Sequence, residues 1–439
     1  MSQVITPKLP AGNKAATLRW RDVSTLVLSA LGGALEFYDF VVFVFFTKAL
    51  GHLFFPAEMP AWLAQLQVYG IFAAGYLVRP LGGIVMAHFG DKVGRKKMFL
   101  LSVLLMALPT LAIGLLPVYA QVGVLAPLLL LLMRLLQGMA IGGEVPGAWV
   151  FVAEHAPPGR VGFACAALTS GLTVGILIGS LVAAGINSHY GDRVLDFAWR
   201  IPFLLGGVFG LLAVWLRRWL EETPVFEALR ERKQLARELP VSTVLKRHRR
   251  GVVVSMLLTW TLTAAVLVVI LMTPTLVQAK FHIDAALAFQ GNSWAALCLC
   301  FGCIGGGLLA DRIGYGWSLL LGSLVMLAAT YALYLDLIAG GAHFLALYAL
   351  AGLCVGVVAI VPAVMVAAFP PAVRFSGISF SYNLAYAVFG ATTPPLIGLL
   401  AAKFGALAPA HYVAITAVVS ALVGVYLIGR RAPLDAARA

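Results

Sequence analysis

Charge is what this chain has least of. Asp, Glu, Lys and Arg together make up 11% of 439 residues, against roughly a quarter in an ordinary soluble domain. So few charges cannot cover a water-facing surface of that size, which excludes a soluble globular protein. Acidic residues are the scarcer sign, 18 against 31 Lys and Arg. The five cysteines, at 165, 298, 300, 303 and 354, all fall within apolar runs. Offsets of two and five scatter Cys298, Cys300 and Cys303 around a helix with no fourth ligand nearby, so buried thiols are expected rather than a metal centre. Also absent are His-Glu-x-x-His, Gly-x-Ser-x-Gly and paired aspartates at metal-ligand spacing, so no enzyme chemistry and no cofactor are expected. Residues 1–23 are polar, carry Lys8, Lys14, Arg19 and Arg21, and lack the short apolar region and small-residue site of a cleaved leader.

What is present is apolar length. Residues of the set AVILMFWYC make up 61% of the chain, in runs of the roughly 20 residues that a spanning helix needs. Period-2 alternation is missing, and only a helix or a closed barrel satisfies its backbone in hydrocarbon. The pattern therefore predicts an all-α integral membrane protein with twelve spans, from 24–50 to 409–430. An even number puts both termini on one side. With the termini inside, 24 Lys and Arg lie in cytoplasmic segments, five in external ones and two, Arg79 and Arg134, within spans, so a multi-pass inner-membrane protein with cytoplasmic ends is expected. The net charge of +13 then needs no nucleic acid to explain it. The longest polar stretch, Arg217 to Arg250, holds ten basic residues. Its Thr223-Pro224 pair is an N-cap followed by a first-turn proline. The expected organisation is a cytoplasmic segment 1–23, a six-helix bundle 24–219, a linker 220–250, a second bundle 251–430 and a short tail 431–439.

An internal repeat supports two halves. Phe89-Gly90-Asp91-Lys92-Val93-Gly94-Arg95-Lys96-Lys97 follows span 2, Leu309-Ala310-Asp311-Arg312-Ile313-Gly314 follows span 8, and the two aspartates are 220 residues apart. Duplicated six-helix halves are the architecture of the major facilitator fold, with its substrate site between them at mid-membrane. The Asp91 run resembles the signature of that superfamily. Glu36-Phe37-Tyr38-Asp39-Phe40, Arg79-Pro80-Leu81-Gly82-Gly83, Arg134-Leu135-Leu136-Gln137-Gly138 with Gly142-Gly143-Glu144, Trp199-Arg200-Ile201-Pro202-Phe203 and Glu222-Thr223-Pro224-Val225-Phe226 narrow the likeness to its metabolite:proton symporter family. Arg374, Gly377, Tyr382-Asn383 and Pro394 carry it into span 11. The chain departs from that family at Gly33, where an asparagine is frequent, at Ala87 in place of a glycine, and in Tyr315-Gly316-Trp317, which lacks the basic pair. The resemblance implies a secondary transporter in two pseudo-symmetric six-helix bundles. It also implies a latch on the cytoplasmic side formed by Asp91, Gly94, Arg95, Lys96, Asp311 and Arg312, with Arg160 a candidate partner of Asp91.

Ionisable groups at membrane depth cost about 2.5–3.5 kcal/mol each on insertion scales, so they face a cavity or a partner. Glu36 and Asp39, Arg79, Arg134 and Glu144 form such a set, all in the first half. Asp39 or Glu36 is expected to pair with Arg134 and to carry the proton, and Arg79 or Arg134 to meet an anionic group of the substrate, with Tyr382 and Asn383 lining the cavity from the second half. The alternative is a permanent ion pair that only orders helices. Glu144, near a span end, is expected to snorkel to the interface. Gly171, Gly175 and Gly179 form a small-residue stripe in span 5 without the Gly-Pro of drug antiporters, Ile176 standing in its place. The function expected from this set is proton-coupled import, as a monomer, of a small organic anion such as a di- or tricarboxylate, keto acid or shikimate-like acid. The alternatives are an importer of zwitterionic compatible solutes of the betaine or proline type, an efflux antiporter, or a transport-like membrane sensor. Only nine residues follow Arg430, too few for the coiled-coil tail of osmosensing solute importers, which favours the organic anion.

Overall fold

A computed structural model of the chain describes residues 20–157, 159–231 and 240–429. Most of the segment 1–23, the middle of the linker and the tail 431–439 lie outside the described residues. Twelve helices among the described residues are long and apolar enough to cross a membrane. The first half holds α1 (Trp20–Phe45), α2 (Ala61–Val93), α3 (Arg95–Leu115), α4 (Leu125–His155), α5 (Val161–Tyr190) and α6 (Arg200–Arg217). The second holds α7 (beginning Arg249–Ala264), α8 (Ala285–Ile313), α9 (Tyr315–Ile338), α10 (beginning Phe344–Val355), α11 (Arg374–Phe404) and α12 (Ala408–Ile428).

Three departures from straight spans have local causes. The run expected to span 24–50 ends at Phe45 and resumes as a short helix Thr47–Phe54. Thr47 donates its hydroxyl back to Phe43 O at 3.2 Å and Val44 O at 2.6 Å, a back-bond that bends helices. The helix α7 widens into a π-helical stretch, Ala265–Met272, before Thr273–Phe281. Pro274 has no N–H for the carbonyl four residues earlier and its ring crowds it; that carbonyl, Ile270 O, instead accepts the Tyr348 hydroxyl at 3.3 Å. In α10 a 3-10 turn, Gly356–Ile360, precedes Val361–Ala368, and it contains Val358, the residue four before Pro362.

In lipid the helices gain nothing from hiding apolar surface from one another, so close packing of small residues decides who touches whom. In the first half α1 packs on α5, α2 on α4 and α3 on α6. In the second, α7 packs on α11, α8 on α10 and α9 on α12, the same pairs six helices later. The span-5 glycine stripe serves the first pair: Gly171, Gly175 and Gly179 lie against Ala30, Ala34 and Tyr38 of α1. The halves meet through α5 on α8 and α2 on α11, which the same operation exchanges. Large apolar side chains such as Leu77, Leu181, Phe301 and Leu399 point outward, where hydrocarbon is their solvent.

The polar stretch from Arg217 to Arg250 departs from the expectation at its start. Arg217, counted there from its charge, has no exposed surface and pairs with Glu144 at 2.8 Å. It also donates to Leu28 O at 2.8 Å and to Ser29 O, while Glu144 accepts the Ser102 hydroxyl. Glu144 therefore does not snorkel: it is wholly buried and tied directly to α3 and α6, and through Arg217 to α1. Thr223 does cap the helix Pro224–Glu231, accepting the Phe226 N–H at 3.2 Å.

Candidate functional site

The charged residues of α1, α2 and α4 converge because two glycines let α2 and α4 touch. A Cβ on Gly138 would lie 2.0 Å from Gly75 O, and one on Gly142 would lie 2.2 Å from Arg79 O. Backbone contact of this kind brings the guanidinium groups of Arg79 and Arg134 to the wall of one cavity. Gly138→Ala is expected to force the helices apart, an overpacking cost of about 1–3 kcal/mol, and to lower the thermal midpoint of the purified protein by several degrees. An unshifted midpoint would show that α2 and α4 separate freely.

The cavity is lined by Phe37, Asp39, Tyr76, Arg79, Arg134, Ile141 and Tyr386 with Gly75 and Gly138. Arg134 donates to Asp39 Oδ2 at 3.1 Å and to Gln137 Oε1 at 2.8 Å. Gln137 in turn donates to Asp39 Oδ2 and to the Thr110 hydroxyl, both at 2.8 Å. Asp39 Oδ1 is buried without a hydrogen-bond partner. The Arg134 guanidinium also lies 4.2 Å from the Phe43 ring centre and 5.2 Å from that of Phe72. Arg79 sits among three tyrosines, 4.8 Å from the ring of Tyr386, 5.3 Å from Tyr76 and 5.9 Å from Tyr382. Tyr76 and Tyr386 stack across the two halves, centres 5.9 Å apart. Such cation–π contacts help to hold the arginine in place. The side chain of Glu36 lies outside the described set.

The remaining expected site residues fall elsewhere. Tyr382 stands edge-on to Trp149 of α4 at 5.0 Å and lines a second cavity. Asn383 lines neither cavity: its amide donates to Gly142 O at 2.7 Å and Ser379 O at 2.8 Å, joining α11 to α4 below the charged site.

At the face that carries the Asp91–Lys97 loop and the linker, which we term the basic face, bonds cross between the halves. Asp91 accepts the Ser376 N–H at the start of α11 at 3.0 Å, and Asp311 accepts the N–H groups of Gly162 and Phe163 at the start of α5, both at 2.8 Å. Helix N-termini favour an anion at those positions. Gly94 and Gly314 follow the two aspartates with φ of 132° and 90°, so each loop turns where a side chain would be strained. Arg160 is not a partner of Asp91, whose ion-pair neighbour is Arg95 at 3.7 Å. Arg95 also bonds Glu154 and donates to Pro371 O at 2.7 Å, and Arg374 donates to the same Glu154 at 3.0 Å. Glu222 accepts the backbone N–H of Arg95 at 3.2 Å and of Lys96 at 3.1 Å, capping α3. Arg312 is exposed. Glu154 and the capping role of Glu222 had no signal in the sequence beyond an acid at a span end and an acid in a family-like run.

Comparison with known proteins accords with this architecture. The profile of the Major Facilitator Superfamily matches residues 23–335. A glycine betaine/proline/ectoine/pipecolic acid transporter of Dickeya dadantii, OusA, is 30% identical over 413 residues, covering 92% of this chain and 82% of the relative. A putative proline/betaine transporter of Staphylococcus aureus is 32% identical over 416 residues, covering 92% and 87%. Among solved structures, the proton:xylose symporter XylE superposes with a TM-score of 0.76 over 93% of this chain and 96% of its own, at 18% identity. A profile match over more than half the chain, whole-length relatives and a shared fold lead to one conclusion: this chain belongs to the Major Facilitator Superfamily of membrane transporters.

Proposed function

We propose that this chain is a proton-coupled symporter that imports a small zwitterion with a single carboxylate, of the betaine or proline kind, by alternating access. The observation that carries this is the likeness over nearly the whole chain to transporters of proline and betaine, and the first cavity suits such a molecule. The described walls of that cavity hold two guanidinium groups, Arg79 and Arg134, one carboxylate, Asp39, and the rings of Phe37, Tyr76 and Tyr386. A guanidinium in the wall suits a carboxylate, which its planar fork grips. The ring faces suit the cationic end of the same molecule. A di- or tricarboxylate, the substrate expected from the arginines alone, finds no support among these relatives. The proline and betaine relatives support the same choice.

In this proposal Asp39 takes the proton at Oδ1, the oxygen that Arg134 and Gln137 leave unoccupied. Protonation weakens the hold on Arg134, whose guanidinium then turns to the substrate carboxylate. The halves 24–219 and 251–430 rock as units about the cavity, and the bonds through Asp91, Arg95, Glu154 and Asp311 hold the basic face shut. The Lys/Arg bias puts that face, and both termini, in the cytoplasm.

Proteoliposomes holding the purified protein, with an alkaline lumen, are expected to accumulate labelled proline or glycine betaine and to ignore succinate and citrate. Accumulation of succinate that neither proline nor betaine competes for would overturn the substrate assignment. Accumulation that persists after the pH gradient is collapsed would overturn the coupling.

A further inference from the structure

On the lipid side of the second half, glycines open a groove between α8 and α9. The two helices are joined through Gly314 alone, yet α8 packs chiefly on α5 and α10, and α9 on α12 and α10, so they touch each other little. Gly302 and Gly306 press α8 onto α10, where a Cβ would lie 2.0 Å from Leu353 O and 3.1 Å from Gly356 O, and Gly322 of α9 sits on Val357. Gly305 opens outward: a Cβ there would meet nothing within 4 Å. The groove has a volume of about 390 Å³, with Phe301, Gly305 and Leu309 on one wall, Leu321 and Val325 on the other and Val357 in its floor. That is within the roughly 300–1,000 Å³ that small ligands occupy, and no charged side chain is among its lining residues.

The depth of the groove and the residues at its mouth point to the occupant. Leu309 and Phe301 lie four and twelve residues before Ile313, the end of α8 at the basic face. At 1.5 Å per residue that is about 6 and 18 Å, the depth of one leaflet's chains in a hydrocarbon core about 30 Å thick. Along α8, Phe301, Gly305 and Leu309 share a stripe with Arg312, three residues beyond Leu309, and Arg312 is exposed. Along α9, Leu321 and Val325 share theirs with Trp317, which is 41% exposed. A guanidinium and an indole therefore flank the basic-face end of an apolar groove, at the level of a bilayer's headgroups. We infer that this groove holds a phospholipid of the leaflet at the basic face, with one acyl chain between α8 and α9 and its phosphate held by Arg312 beside Trp317. The chain rests on the 3-10 turn Gly356–Ile360, and so braces α10 where its regular backbone bonding is interrupted.

Photolabelling of the purified carrier in vesicles of phosphatidylethanolamine and phosphatidylglycerol tests this. The probes are phosphatidylglycerol with a diazirine halfway along one acyl chain and diacylglycerol with the same chains, and labelled peptides are mapped by mass spectrometry. The phospholipid probe is expected to label 301–309 and 321–325 well above other lipid-facing segments. Gly305→Leu fills the groove from a position with room for the side chain, and is expected to cut that labelling about tenfold, the worth of roughly two methylene groups no longer buried. Val325→Trp on the facing wall repeats the test should that variant misfold, and Gly398→Leu, at an equally open glycine of α11, is expected to change nothing. Arg312→Gln is expected to lower labelling by the phospholipid about fivefold, to the level of the diacylglycerol. Labelling spread in proportion to exposure, or unchanged by both filled variants, overturns the site. Disulfide-linked dimers formed through Phe301→Cys would assign the face to a second copy and overturn it too. Equal labelling by the two probes overturns the phosphate contact at Arg312.

Discussion

Asp39→Asn is expected to abolish accumulation driven by a pH gradient while leaving exchange of labelled for unlabelled substrate within a few fold of the parent. The amide fills the space of the carboxyl, donates where the protonated acid would, and lets the loaded carrier turn over. What it cannot do is release a proton on the far side, so the gradient no longer does work on the substrate. Arg134→Ala is expected to damage both activities, because it strands the Asp39 carboxylate in a site where it is 1% exposed; leaving a buried charge unpaired costs about 3–5 kcal/mol. The measurement is a pair of assays on the same liposomes, counterflow and gradient-driven uptake. Full gradient-driven accumulation by Asp39→Asn would move the proton carrier elsewhere, with Glu36, one turn earlier on α1, the next residue to test.

Glu154→Gln has the second large effect, and it falls on gating. One carboxylate holds both Arg95 of the first half and Arg374 of the second, and its side chain is 1% exposed. With a neutral amide there, two buried cations face each other across the closed basic face. A broken buried pair of about 3–5 kcal/mol moves an open–closed equilibrium by roughly two to four orders of magnitude. A cysteine placed at Ser379, in the contact of α11 with α4, is expected to react with an impermeant thiol reagent from the basic face in this variant and to be protected in the parent. Substrate affinity should stay within about threefold, since twenty residues of α4 at 1.5 Å each put Arg134 about 30 Å away. Continued protection of Ser379→Cys would show that Glu154 does not hold the face closed.

The spans were legible because hydrocarbon demands long apolar helices and nothing else satisfies the backbone there. The pairing of the halves was legible from Asp91 and Asp311. Burial cost made Asp39, Arg79 and Arg134 visible as a set, but the choice of Asp39 as the arginine's partner needed coordinates, because Glu36 shares its helix face. Glu154 stayed hidden since an acid at a helix end is ordinarily solvated, and the arginine that buries it, Arg374, lies 220 residues further on. The Glu144–Arg217 pair escaped for the same reason, each member lying near a span end. The tyrosines around Arg79 and the ring of Trp149 are indistinguishable by type from those that face lipid. Their role as walls depends on which side of each helix the other half covers, which pattern alone does not state.

The crossed placement of the two aspartates has a consequence for the order of events. Asp91 belongs to the first half and caps a helix of the second, while Asp311 belongs to the second and caps a helix of the first. Neither cap can be relieved by rearrangement inside its own half, so a half cannot loosen in advance of the separation it takes part in. If the halves move as rigid units, both caps are lost in the same displacement, and the helix ends they leave are exposed to water together. The basic face then opens in one cooperative step, with no stage at which one half has loosened and the other has not.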